Sequence, residues 1–141
     1  MPIFSQKSLN QLNTCAPDLQ ILFKVVIQYF DCVVNEGYRN KEDQEKDFQN
    51  GTTKLHWPHG KHNAYPSNAV DVYPFEPGKV INWNDTKRMM YFAGYVMGIS
   101  KILFDQKKIS HRIRWGGDWN QNTELTDETF PDLGHFELIN T

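Results

Sequence analysis

His62-Asn63-Ala64-Tyr65-Pro66-Ser67-Asn68-Ala69-Val70-Asp71-Val72-Tyr73-Pro74 is the stretch on which the reading of this chain turns. Its second half, from Ala69 to Pro74, alternates β-branched residues with others and ends on a proline, which predicts a strand. Its first half closes a segment, residues 51–68, rich in Gly, Pro, His, Asn and Ser. That composition predicts a long irregular loop, and in compact domains such loops usually carry function. Asp71 falls in the middle of the apolar strand. A carboxylate buried there without a partner would be costly even after relaxation, so a cation must sit against it. Lys and Arg are both available for a structural ion pair, which is the plainer reading of this residue alone.

Upstream, Leu19, Leu22, Phe23, Val26, Ile27 and Phe30 recur at helical spacing over residues 17–31, with Pro17 suited to the first turn. Val33 to Arg39 predicts a short strand running into a turn, and Asn40 is placed to cap a polar helix that ends before Gly51. Downstream, a second long helix is expected from Asn84 or Asp85, with Met89, Phe92, Ala93, Val96 and Leu103 as its apolar stripe. Gly94 and Gly98 fall on one side of it and suggest close packing. Ile113-Arg114-Trp115 and His135-Phe136-Glu137-Leu138 predict two further strands, joined by a loop rich in Gly, Asp and Trp. The order is no regular βαβ alternation, so the class is α+β, with residues 1–141 read as one domain.

The 141 residues hold 39% hydrophobic and 13% aromatic side chains, enough to build a core. Fifteen basic against seventeen acidic residues give a net charge of −2, which argues against a nucleic-acid partner held by a basic field. No apolar run approaches the roughly 20 residues needed to span a bilayer, so no membrane insertion is expected. The N-terminus has no charged start followed by an apolar stretch, so no signal peptide is expected and synthesis is assigned to a cytoplasm. Cys15 and Cys32 are expected to be reduced and partly buried. They form no CxxC, which excludes a zinc ribbon or thioredoxin-type site.

The histidines change the reading of Asp71. Of five, three (His56, His59, His62) precede the Asp71 strand and His135 opens the last one. Catalytic zinc takes three protein nitrogen or oxygen ligands and keeps a fourth position for water. His62, Asp71 and His135 would supply such a set, although His56 or His59 could stand in for His62. Asp132 precedes His135 by three residues, where a carboxylate can reach the open side of a metal and serve as a base. Strand geometry puts His135 and Glu137 on one face, so that Glu137 either orients a ligand histidine or forms a surface ion pair. No HExxH motif is present. Arg39 lies at the entrance of the helix that Asn40 caps. A guanidinium there could stabilise a developing oxyanion; the competing reading pairs it with Glu36 or Asp43.

These segments resemble a known family. His62 to Val72 looks like the H-x(6–8)-A-V/I-D element of the peptidoglycan peptidases related to the vancomycin-resistance D-Ala-D-Ala carboxypeptidases. Trp115-Gly116-Gly117-Asp118-Trp119 and Asp132 to Glu137 look like that family's W-G-G-D-W and D/E-x-x-H-x-E elements. Gly37-Tyr38-Arg39 and Glu42-Asp43-Gln44 are similar to two further segments, so the resemblance spans nearly the whole chain. It is closest to the short L-alanyl-D-glutamate endopeptidases that bacteriophages use as endolysins.

The resemblance implies a hedgehog/D-Ala-D-Ala-peptidase-like zinc fold, a small antiparallel sheet packed by helices. It implies Zn2+ held by His62, Asp71 and His135, Asp132 as general base, and Arg39 on a substrate carbonyl or carboxylate oxygen. Gln44 and Trp115 are candidate substrate contacts, Trp119 with them. The family often has Ser two residues before the first ligand, where this chain has Gly60. The implied partner is the peptidoglycan stem peptide, cut by a monomer that reaches the cell wall after another protein opens the host membrane. A D-Ala-D-Ala carboxypeptidase would use the same metal set, and a non-catalytic zinc-containing binding module is the alternative of another class.

Overall fold

The computed structural model describes residues 2–139. Among them are four α-helices and one four-stranded sheet. In chain order these are α1 (Gln6–Leu12), α2 (Pro17–Val26), β1 (Cys32–Glu36), α3 (Lys41–Gln49), a single 3-10 turn (Lys61–Asn63), β2 (Ala69–Pro74), α4 (Thr86–Asp105), β3 (Arg112–Trp115) and β4 (His135–Ile139). The sheet order is β1-β2-β4-β3 and every neighbouring pair is antiparallel, as the α+β reading requires.

Strand alternation sorts the chemistry of the sheet. Val70, Val72, Ile113, Trp115, Phe136 and Leu138 join Leu19, Leu22, Phe23 and Val26 of α2 and Phe92, Ala93 and Val96 of α4 in one core. Phe23 and Phe136 meet edge-on at 5.5 Å. Burying a side chain of this size contributes about 1.5–3 kcal/mol. The opposite face carries Asp71, Arg114, His135 and Glu137. Register brings Asp71 directly across from His135, and Glu137 across from both Ala69 and Arg114. A bulge between Val34 and Glu36 advances β1 by one residue, so that Glu36, and not Asn35, stands opposite Asp71.

Helix caps agree with the sequence reading at two places. The Asn40 side chain accepts from Asp43 N–H at 2.9 Å at the start of α3, and that of Asp85 from Arg88 N–H at 3.1 Å at the start of α4. The helix expected over 17–31 is shorter. After Val26, Gln28 and Tyr29 donate to Val25 and Val26 at the tighter i→i+3 spacing, and the chain turns toward β1. No close packing is found at Gly94 and Gly98. A Cβ at either would meet nothing within 4 Å, because α4 turns its Met89, Phe92, Ala93 and Val96 side inward.

The short helix α1 was not expected. Its seven residues, QKSLNQL, lack an apolar stripe, but Ser5 caps it by accepting from Ser8 N–H at 3.1 Å. Its side chains close the outer edge of the sheet. Ser8 Oγ accepts from Val34 N–H at 3.0 Å and Gln11 Oε1 from Gly37 N–H at 3.1 Å. Just beyond the helix, Thr14 Oγ1 accepts from Tyr38 N–H at 2.8 Å. The long loop is tied to the same corner, with Ser67 N–H on Thr14 O and Ala16 N–H on Ser67 O, both at 2.8 Å. Cys15 and Cys32 are free and buried, and burial pushes the Cys15 thiol up to about 12.

Candidate metal centre and cleft

Three ligand atoms, one each from His62, Asp71 and His135, lie within 4.8 Å of one another. His62 comes from the 3-10 turn, Asp71 from β2 and His135 from β4, and all three are less than 9% exposed. Asp71 Oδ1 is 3.2 Å from His62 Nε2 and 3.3 Å from His135 Nδ1. His62 Nδ1 is committed to Gly37 O at 2.6 Å, and His135 Nε2 to Glu137 Oε1 at 2.8 Å. Each imidazole is thereby oriented by one nitrogen and offers the other to the common point. His62 Nε2 and Asp71 Oδ1 are buried with no hydrogen-bond partner. Two nitrogens and a carboxylate oxygen converging on orphaned atoms is the donor set that a tetrahedral divalent ion requires, so the residues fit a metal.

The electrostatics agree. Burial raises the Asp71 carboxyl, but the imidazoles of His62 and His135 outweigh it and hold Asp71 far below the usual range. His135 is pushed up to about 9, burial being overcome by the carboxylates of Asp71 and Glu137 that face its two ring nitrogens. The metal-free site therefore holds a proton that a cation must displace. His56 and His59 stay outside. His56 stacks on Phe48 and contacts Glu45 at 2.7 Å, while His59 is exposed on the loop.

Asp132 stands beside the cluster, its Oδ2 4.0 Å from His135 Nδ1, and its side chain is about half exposed. Burial, and then the negative charge of Asp71, raise its carboxyl above the ordinary value, against the pull of His135, His62 and Arg39. The W-G-G-D-W segment fixes its position. Gly116 donates to His135 O and accepts from Asp132 N–H, both at 2.8 Å, and a Cβ on Gly116 would overlap the Asp132 carbonyl. That close approach is why glycine stands there.

Arg39 lines the cleft and makes the Glu36 pair of the competing reading. It pairs with Glu36 and with Asp47 at 3.2 Å, and its NH2 group reaches Asp71 Oδ2 at 4.0 Å. Of the two partners in the competing reading, Glu36 is found; among the described residues Asp43 makes no ion pair with Arg39, and its backbone N–H serves the Asn40 cap. Gln44, a candidate substrate contact, is completely buried. Its Oε1 accepts from Arg39 NH1 and Asn63 Nδ2 at 3.0 Å each, and its Nε2 donates to Leu55 O at 2.6 Å. Its amide is fully committed, so it braces Arg39 and the histidine turn from beneath the cleft. Gly60 joins that network by donating to Asn63 Oδ1 at 2.9 Å. A Cβ at Gly60 would lie 2.7 Å from that same oxygen and 3.0 Å from Gln44 Oε1, so the serine usual in the family would have to displace them.

Trp115 is a correction. It pairs across the sheet with Phe136, is 6% exposed, and donates Nε1 to Leu133 O at 2.8 Å. Alternation puts it on the core face, away from the metal cluster. Trp119 takes the place assigned to it, its ring 5.3 Å from that of His135 on the cleft wall. Two neighbours escaped the sequence reading. Arg114 NH2 donates to Glu137 Oε2 at 2.7 Å, completing an Arg114–Glu137–His135 chain, so Glu137 both orients a histidine and forms an ion pair. Tyr73 shares a strand face with Asp71, and burial together with Asp71, Asp132 and Glu36 raises its phenol. Period-two alternation along β2 and β3 was the signal for both.

A cleft of about 310 Å³ runs over the cluster, between the loop after α3 and the loop before β4. A buried two-histidine, one-carboxylate cluster, open to a cleft and flanked by a raised carboxyl, is a group that could hold a metal ion with a base beside it, an arrangement suited to hydrolysis. Residues 2–139 match the family of phage L-alanyl-D-glutamate peptidases, and the chain belongs to that family. It is accordingly a peptidoglycan peptidase. No curated protein matches it at a significant level. Among solved structures it is similar to the L-Ala D-Glu endopeptidase ChiX of Serratia marcescens, with a TM-score of 0.74 and 23% identity over 97% of this chain and 90% of that one. That likeness establishes the fold.

Proposed function

We propose that the chain is a zinc-dependent endopeptidase that hydrolyses the amide between L-alanine and D-glutamate in the peptidoglycan stem peptide. Convergence of His62, Asp71 and His135 within 4.8 Å, with Asp132 at their open side, is the observation that carries this reading. Zinc bound there would acidify a coordinated water and polarise the scissile carbonyl. Asp132 takes the proton of the attacking water and returns it to the departing amine. Its raised pKa brings it nearer the working pH, which favours both transfers. Arg39 holds the outer oxygen of Asp71 and sets a positive charge beside the carbonyl oxygen as it becomes an oxyanion. Glu137, backed by Arg114, keeps His135 aimed. The enzyme is made in the bacterial host's cytoplasm and reaches the wall once another phage protein opens the membrane, a role that follows the phage origin of the family.

Purified Gram-negative peptidoglycan is the test substrate. Digestion should stop with a chelator and resume with added zinc, and mass spectrometry should show the L-Ala–D-Glu bond disappearing. Loss of terminal D-alanine instead would make the protein a D-Ala-D-Ala carboxypeptidase. Asp132→Ala should keep bound zinc and lose about 10²–10⁴-fold in turnover. Near-normal hydrolysis by that variant, with its metal content verified, would dismiss the assignment of the base.

A further inference from the structure

The cleft has an unequal charge supply. Four Lys or Arg side chains line it: Arg39, Lys54, Lys61 and Arg114. Arg39 is engaged by Glu36 and Asp47, and Arg114 by Glu137. Lys61 is exposed and, among the described residues, makes neither an ion pair nor an aromatic contact. Lys54 differs from all three. Its Nζ lies 4.5 Å from the centroid of the Phe130 ring, which belongs to the loop on the far side of the cleft. Among the described residues it has no carboxylate partner. A ring face orders an ammonium without neutralising it, so Lys54 presents a positioned and unspent charge.

The reaction supplies an anion to match, on the reading given under Proposed function. The bond cut runs from the alanine carbonyl to the glutamate amine. Glutamate has two carboxyl groups and the chain continues through only one, so the residue on the amine side keeps a free carboxylate a few bonds from the scissile nitrogen. We propose that Lys54 binds this free carboxylate, and thereby makes the enzyme prefer a glutamate with a free acid over one whose carboxyl is amidated.

The test uses the zinc-loaded enzyme and two synthetic stem peptides that differ only in whether that carboxyl is an acid or a carboxamide. The wild type should favour the acid by about tenfold in kcat/KM, mainly through KM, as suits a charge-assisted contact in a partly wet cleft. Lys54→Met should raise KM for the acid and bring the ratio close to one. Phe130→Leu, which releases the ammonium without removing it, should give an intermediate ratio, and Lys61→Met should keep the wild-type ratio. Equal cleavage of both peptides by the wild type would overturn the proposal. So would a Lys54→Met variant that slows both peptides alike, or a Lys61→Met variant that erases the preference as fully. Cleavage of neither peptide by the wild type would overturn the peptidase reading and this proposal with it, a result distinct from cleavage of both.

Discussion

On one face of β4, Phe136 meets Phe23 and Phe92 edge-on, in the cluster that also holds Leu138. On the other, His135 and Glu137 form a polar row with Asp71 and Arg114. The residues alternate one by one and all four are at least 93% buried, yet they are held by different forces. The apolar face is stabilised by area and shape, and any atom removed from it leaves a void. The polar face is stabilised only while each group keeps its partner, and its last partner, at His62 Nε2 and Asp71 Oδ1, is missing from the chain itself. Burial alone therefore does not mark a site. Burial with an orphaned donor set does.

Substitutions on either side of that divide should separate activity from stability. His135→Ala has the largest expected effect on function. It removes one of three ligand atoms, so stoichiometric zinc and measurable hydrolysis should both vanish; full zinc occupancy by elemental analysis would break the comparison. Phe136→Ala, its neighbour, should instead cost about 3–5 kcal/mol of folding stability by leaving a cavity. Denaturant unfolding measures this, and a loss no greater than that of metal-free His135→Ala would contradict the division.

Glu137→Gln and Arg114→Met sharpen the polar side. Each weakens the chain that orients His135, and zinc affinity should fall about 10–100-fold while the fold survives. Because the His135 proton must leave, wild-type affinity should rise with pH by up to about tenfold per unit below 9. Calorimetric titration at several pH values reads both effects, and a flat profile would show that His135 is not the group displaced.

The smallest effect is expected far from the cleft. Asp18 Oδ2 accepts from Ser110 N–H at 2.9 Å and His111 N–H at 3.0 Å, and lies 2.7 Å from His111 Nδ1, tying the first turn of α2 to the start of β3. Burial raises this carboxyl, but those hydrogen bonds prevail and hold it below its ordinary value. Its stabilisation is thus complete above the unfolded pKa near ~4 and is lost as pH falls through the depressed folded value. Asp18→Asn should cost about 1–2 kcal/mol at neutral pH, and the gap from wild type should narrow in acid. A gap that widens as pH falls would reverse the sign.

Most of the frame was legible because its signals are local. The stripes of α2 and α4, the caps at Asn40 and Asp85, and the alternation of β2 and β4 each need only a few neighbouring residues. Helix α1 was not legible, since its stability comes from side chains that satisfy the edge of β1 rather than from a stripe of its own. The same limit explains Trp115 and Gln44. A tryptophan beside two glycines and a glutamine on a polar helix give no local sign that one enters the core and the other is buried under the cleft.

The sequence by itself determined the kinds of atom that meet: two imidazoles, a strand aspartate and an acid three residues before the second histidine, in an order that marks the family. Spacing alone left His56, His59 and His62 open and the family pattern implied His62; which nitrogen it offers was decided only in three dimensions. So were the bulge that sets Glu36 across from Asp71, and the choice of Trp119 over Trp115 for the wall. These depend on hydrogen bonds between segments far apart in the chain, such as Arg39 N–H to His62 O and Gly116 N–H to His135 O. Residue identity dictates what a group can bind; only the packed backbone dictates what lies within its reach.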